Sequence, residues 1–113
     1  MDVDVAAADV AAATEVLASR LKVLGEPTRL EIVRRLAVED LCTCHLVADL
    51  GITQPLVSHH LRALRRAGLV RTEPAGPFTY YGLDADALGD LAEAIGDVVQ
   101  RHDRGGQRRR PCA

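Results

Sequence analysis

Apolar residues return at three- and four-residue intervals along most of the chain, and that rhythm breaks in only a few places. Val16, Leu17, Leu21 and Leu24 predict an Ala-rich first helix over residues 5–24, ending at Gly25. Pro27 opens a second helix through PTRLEIVRRLAVE, with Leu30, Ile32, Val33 and Leu36 as its core face. After DLCTC, the segment CHLVADL predicts a short helix that buries Leu46, Val47 and Leu50 and stops at Gly51. A turn through Ile52 leads into TQPLVSHHLRALRRAGLV. Here Thr53 is an N-cap, Pro55 sits harmlessly in the first turn, Val57, Leu61 and Leu64 form a buried stripe, and Gly68 ends the helix. The rhythm then changes. Leu69–Thr72 and Phe78–Tyr81 predict two strands around the turn Pro74-Ala75-Gly76-Pro77. A last helix over about 86–101 carries Leu88, Leu91, Ala92, Ile95, Val98 and Val99.

Two helices joined by a short turn, the second rich in polar and basic groups, predict a helix-turn-helix, and the hairpin after it makes the unit winged. The expected fold is therefore mainly α with a small β-hairpin. The first and last helices exceed this minimal unit and are expected to be dimerisation elements at both chain ends. Two-fold pairing would set two recognition helices about 34–36 Å apart, facing an inverted-repeat operator in double-stranded DNA. Residues 1–103 are expected to form one domain, followed by a disordered basic tail, residues 104–113.

Composition narrows the picture. One Phe and two Tyr leave an aliphatic core. No apolar run approaches the roughly 20 residues of a membrane span, and the acidic N-terminus is no signal peptide, so a cytoplasmic protein is expected. The formal charge of −2 conceals segregation. Residues 1–18 hold four acids and no base, and residues 84–103 hold six acids against one arginine. Between Thr53 and Thr72 stand four arginines and no acid, the electrostatic footprint of a duplex-binding face. There is no nucleophile–base pair, phosphate loop or HExxH motif, so the chain is not read as an enzyme.

The segments LKVLGEPTRLEIVRRL, DLCTCHLVADLGITQPLVSHHLRALRRAGLV and YYGLDADAL, in that order, resemble the ArsR/SmtB family of metal- and metalloid-responsive regulators. The resemblance implies a homodimeric winged helix-turn-helix repressor that leaves its operator when an inducer binds, with no cofactor required for DNA binding. It also implies that DLCTCHL matches the arsenic-sensor motif, with Cys42 and Cys44 as its thiols. The motif's third cysteine would fall at Val47. The family's other site, on the last helix, would fall at Ala85, Ala87, Val98 and Arg101, which cannot supply its ligand set. The wing turn PAGP also lacks the family's frequent basic residues.

Trivalent arsenic and antimony select thiolates, whereas Cd, Zn and Ni accept mixed sulfur and nitrogen sets. A helix start favours the thiolate. Cys42 and Cys44, expected to be reduced, are the candidate ligands, with Cys112 of the tail as a third sulfur and His45 for a borderline metal. Alternatives stay open: both cysteines as small core residues, a Cys42–Cys44 redox switch, or a regulator that answers to a partner protein without metal. Adjacent helical residues point about 100° apart, so His59 and His60 do not share a ligand; His59 is expected to face DNA and His60 to pack. The acidic face of the last helix, with His102 and Asp103, reads as solvated charge. For DNA, Gln54, Ser58, His59 and Arg62 are the candidates for base edges. Thr53, Arg65 and Arg66 are expected to grip phosphates, with Arg71 the nearest positive charge on the wing.

Overall fold

The computed structural model describes residues 2–105 and 108–112, the side chains of residues 2–6 excepted; Gly106, Gln107 and Ala113 of the expected tail lie outside the described residues. Five helices and three strands follow in the order α1 (Asp2–Leu24), α2 (Pro27–Leu36), β1 (Leu41–Cys42), α3 (Thr43–Leu50), α4 (Gln54–Arg66), β2 (Val70–Ala75), β3 (Phe78–Leu83) and α5 (Ala85–Gly105). The expected hairpin is thus the larger part of a three-stranded antiparallel sheet, ordered β1-β3-β2. Leu41 pairs with Tyr81 and Cys42 with Tyr80, placing the first cysteine directly on the wing. Two residues are too few to show a strand's alternation, which is why β1 was not expected. Pro74 is tolerated inside β2 because β2 is an edge strand.

Local chemistry sets the helix ends. Glu26 caps α2, its Oε2 accepting the Arg29 N–H at 2.8 Å. Asp84 does the same for α5 through the Ala87 N–H at 3.1 Å, so this helix starts one residue before the predicted segment and runs on to Gly105. Gly51, at φ +68°, closes α3 in the left-handed region that disfavours other residues. Thr53 occupies the N-cap position of α4 with extended backbone, but its side chain makes no capping bond.

The core is aliphatic, as expected. Ile32, Leu36, Leu41, Leu46, Val57, Leu61, Leu64, Leu69, Val70, Ala87 and Leu91 form one cluster. Val57, Leu61 and Leu64 are the buried stripe of α4. Leu30 differs from expectation and lies half-exposed, because α2 turns Ile32 and Leu36 inward instead. On α5 only the first half of the apolar stripe is covered; Ile95, Val98 and Val99 remain exposed, as do Val10, Val16 and Leu21 of α1. The molecule is correspondingly elongated, 63 × 31 × 22 Å. Its radius of gyration is 18.5 Å, against about 13 Å for a compact chain of this size. Among the described residues, no helix is long and apolar enough to cross a membrane.

Candidate functional site

α4 follows α3 through the Gly51–Thr53 turn and packs against it. Its apolar stripe faces the core, so its polar residues must face outward. Thr53, Gln54, His59, Arg62, Arg65 and Arg66 are exposed, and Ser58 is half-buried. Ser58, Arg62 and Arg65 succeed one another at four- and three-residue steps, and they line one hollow together with Tyr81 of β3. Gln54 extends this row by another turn toward the helix N-terminus. Among the described residues no acid pairs with Arg62, Arg65 or Arg66. Tyr81 was not singled out from the sequence, since its approach to α4 depends on how the hairpin folds back. His60 packs into the core, as expected for it, while His59 stays exposed.

Arg71 is placed differently from the α4 arginines. Its guanidinium lies 3.1 Å from Asp40 and 3.9 Å from Glu73, so it braces the wing against the residue preceding β1. This crossing passes over Gly82 of β3. A Cβ there would stand 2.6 Å from Asp40 Oδ1 and 2.8 Å from Arg71 Nη2, closer than such atoms can approach.

Cys42 is the last residue of β1 and the N-cap of α3; Cys44 lies in the first turn. Their sulfurs are joined as a disulfide across Thr43, where free thiols were expected. His45 folds back over the helix start, its Nδ1 accepting the Cys42 N–H at 3.1 Å and lying 3.3 Å from Cys42 Sγ. The Nδ1 lone pair is therefore engaged, which leaves Nε2 as the protonated nitrogen. One ligand atom from each of Cys42, Cys44 and His45 falls within 4.8 Å of the others; Cys42 is buried, and the other two are exposed. Two sulfurs and one imidazole suit a soft or borderline ion once the disulfide is reduced, and do not suit a hard cation. Glu39, Asp40 and Asp49 line the same open cleft with Cys44 and His45. Cys112 is exposed and is not part of this cluster. Val47, at the third position of the motif, is half-buried against the core.

A helix-turn-helix with a basic, outward-facing second helix and a three-stranded wing defines a winged helix-turn-helix regulator. The family model described as "Bacterial regulatory protein, arsR family" matches residues 26–72. The arsenical resistance operon repressor of Staphylococcus xylosus is 35% identical over 89 residues, covering 79% of this chain and 85% of the relative. Among solved structures, an ArsR-like transcriptional regulator from Rhodococcus superposes with a TM-score of 0.75 at 27% identity, covering 82% of this chain and 88% of that one. A homodimeric winged helix-turn-helix DNA-binding domain from Mycobacterium bovis superposes with a TM-score of 0.65 at 26% identity, covering 89% and 93%. The chain belongs to the ArsR family: it is a DNA-binding transcriptional regulator and not an enzyme.

Proposed function

We propose that the chain is a homodimeric, cytoplasmic repressor that leaves an inverted-repeat operator when a thiophilic ion takes up Cys42 and Cys44. The observation carrying this reading is the convergence of Cys42, Cys44 and His45 at the start of α3, the helix on which the DNA-facing α4 packs. Trivalent arsenic or antimony would use the two thiolates, and Cd, Zn or Ni would add His45. The relative from Staphylococcus xylosus, an arsenical resistance repressor, supports the metalloid. The homodimeric neighbour and the uncovered apolar stripes of α1 and α5 support the dimer. In this reading Gln54, Ser58, His59 and Arg62 meet base edges, and Thr53, Arg65 and Arg66 hold phosphates. Arg71 holds the wing in place for that contact.

The ion-binding form is the dithiol. A reducing thiol supplies two electrons and two protons to the Cys42–Cys44 bond and leaves as its own disulfide. Ion uptake then displaces both thiol protons and, where Nδ1 of His45 is a ligand, its bond from Cys42 N–H. The first turn of α3 must shift, and α4 moves with it. Coupling of this kind is typically ~1–3 kcal/mol between sites.

Fluorescence anisotropy on the DNA upstream of the protein's own gene tests this, with arsenite, antimonite, Cd, Zn and Ni titrated separately into reduced protein. Release by one or more ions is expected. Tight binding untouched by all of them would overturn the ion reading. The Cys42–Cys44 bond favours one second reading, in which oxidation itself is the signal; diamide added to the reduced, DNA-bound protein would then release it without any ion.

A further inference from the structure

We infer that Arg20 is a positioning residue for DNA binding: it transmits the geometry of the dimerisation helices to the recognition helix α4. The inference rests on the homodimeric reading above and goes beyond it by naming the link.

Arg20 is half-buried on α1, one turn after Leu17. Its Nε donates to the carbonyl oxygen of Ala67, the C-cap of α4, at 3.3 Å. Its Nη2 stands 3.6 Å from where a Cβ on Gly68 would sit. Gly68, at φ +75°, turns the chain out of α4, and the guanidinium lies within ordinary contact distance of this turn. The charge is placed where a helix C-terminus is negative, with carbonyls that lack helical partners.

Two neighbouring hollows meet at this side chain. One lies between α1 and α5, where Arg20 lines it with Leu17, Asp90 and Leu91. The other lies against the end of α4, where Arg20 lines it with Arg66 and Ala67. Arg20 thus stands between the apolar faces left uncovered on α1 and α5 and the end of the DNA-facing helix.

The consequence is geometric. α4 has 13 residues and is about 20 Å long, and Gln54 and Ser58 lie toward the end opposite Arg20. A small change of angle at the tethered end displaces these residues along the groove. Adjacent base pairs are only about 3.4 Å apart, and a two-half-site operator demands that both helices keep one separation. Losing the tether therefore relaxes the demand for one half-site spacing.

The test uses the full-length protein and its operator, with variants that insert or delete one base pair between the half-sites. Wild-type protein is expected to bind one spacing best. Arg20→Ala is expected to bind that spacing about tenfold more weakly, the scale of one charge-assisted hydrogen bond. It should also discriminate less against the altered spacings, while sedimentation still shows a dimer. Arg20→Gln, which keeps a donor without the charge, is expected to fall between the two and serves if Arg20→Ala does not fold. Equal weakening at every spacing, with the wild-type preference intact, would overturn the role of Arg20 and leave the dimeric reading standing. A wild-type protein with no preferred spacing would overturn both.

Discussion

His60 presents Nδ1 to Oε2 of Glu26 at 3.7 Å, across the seam between α2 and α4. The pair is too far apart for a hydrogen bond, and this buried Nδ1 has no hydrogen-bond partner among the described residues. Burial holds the His60 pKa below its ordinary 6.5; Glu26 pulls it up, and Arg29 and His59 push it further down. Glu26 is itself held below 4.5, first by the Arg29 backbone N–H, against desolvation and with help from Thr28, His60 and Arg29. Both groups thus resist protonation in the folded chain.

An acid-side loss of stability follows. As pH falls through 6.5 the unfolded chain takes up a proton at His60 before the folded chain does, so stability declines there. The Glu26 contribution is present above 4.5 and is lost at lower pH, as the solution passes the folded pKa. Denaturant midpoints should fall as pH drops through about 6.5, the ordinary His value. His60→Gln should flatten that interval, and an unchanged slope would remove His60 as its source.

Replacing Cys42 and Cys44 together with Ser should leave operator binding near the wild-type level and abolish release by ions. Cys42 is buried and Cys44 exposed, so the stability cost, about 1 kcal/mol, should come from Cys42. Anisotropy and a thermal melt on the same samples read both effects. Release that survives the double substitution would place the ion elsewhere.

His45 separates the two classes of ion. His45→Ala removes the only nitrogen in the described donor cluster and frees the Cys42 N–H that Nδ1 accepts. Response to Zn and Cd should weaken by about tenfold or more, while response to arsenite, which selects sulfur, should persist. Isothermal titration of reduced protein with each ion measures this directly.

Arg62 and Arg66 should fail in different ways. Arg62→Ala should cost about 1–3 kcal/mol and relax specificity at one base pair of each half-site. Arg66→Ala should weaken all sequences alike and lower the salt dependence by about one phosphate contact. Operator affinities at several salt concentrations, on wild-type and singly substituted sites, distinguish them. Identical behaviour of the two variants would reject the division of labour.

Much of the helix-turn-helix is legible in the chain because its signals are local. Pro55 and Gly68 bracket α4, and Val57, Leu61 and Leu64 fix which side is buried, so the outward position of Arg62, Arg65 and Arg66 follows from the 3.6-residue period. The cysteine pair is equally legible, being two residues apart. Arg71 shows the limit: its neighbours in sequence mark it as a wing cation, but its partner Asp40 lies 31 residues away.

The sequence by itself determined the order and type of the helices, the aliphatic core, the basic face of α4 and the closeness of the two cysteines, since each depends on spacing within a short segment. Only the tertiary structure decided that Cys42 pairs with Tyr80 on the wing, that His60 meets Glu26, that Arg20 reaches Ala67, and that the ends of α1 and α5 stay uncovered. Periodicity states which residues share a face. What that face meets is settled when distant segments close on one another, and no local pattern encodes that partner.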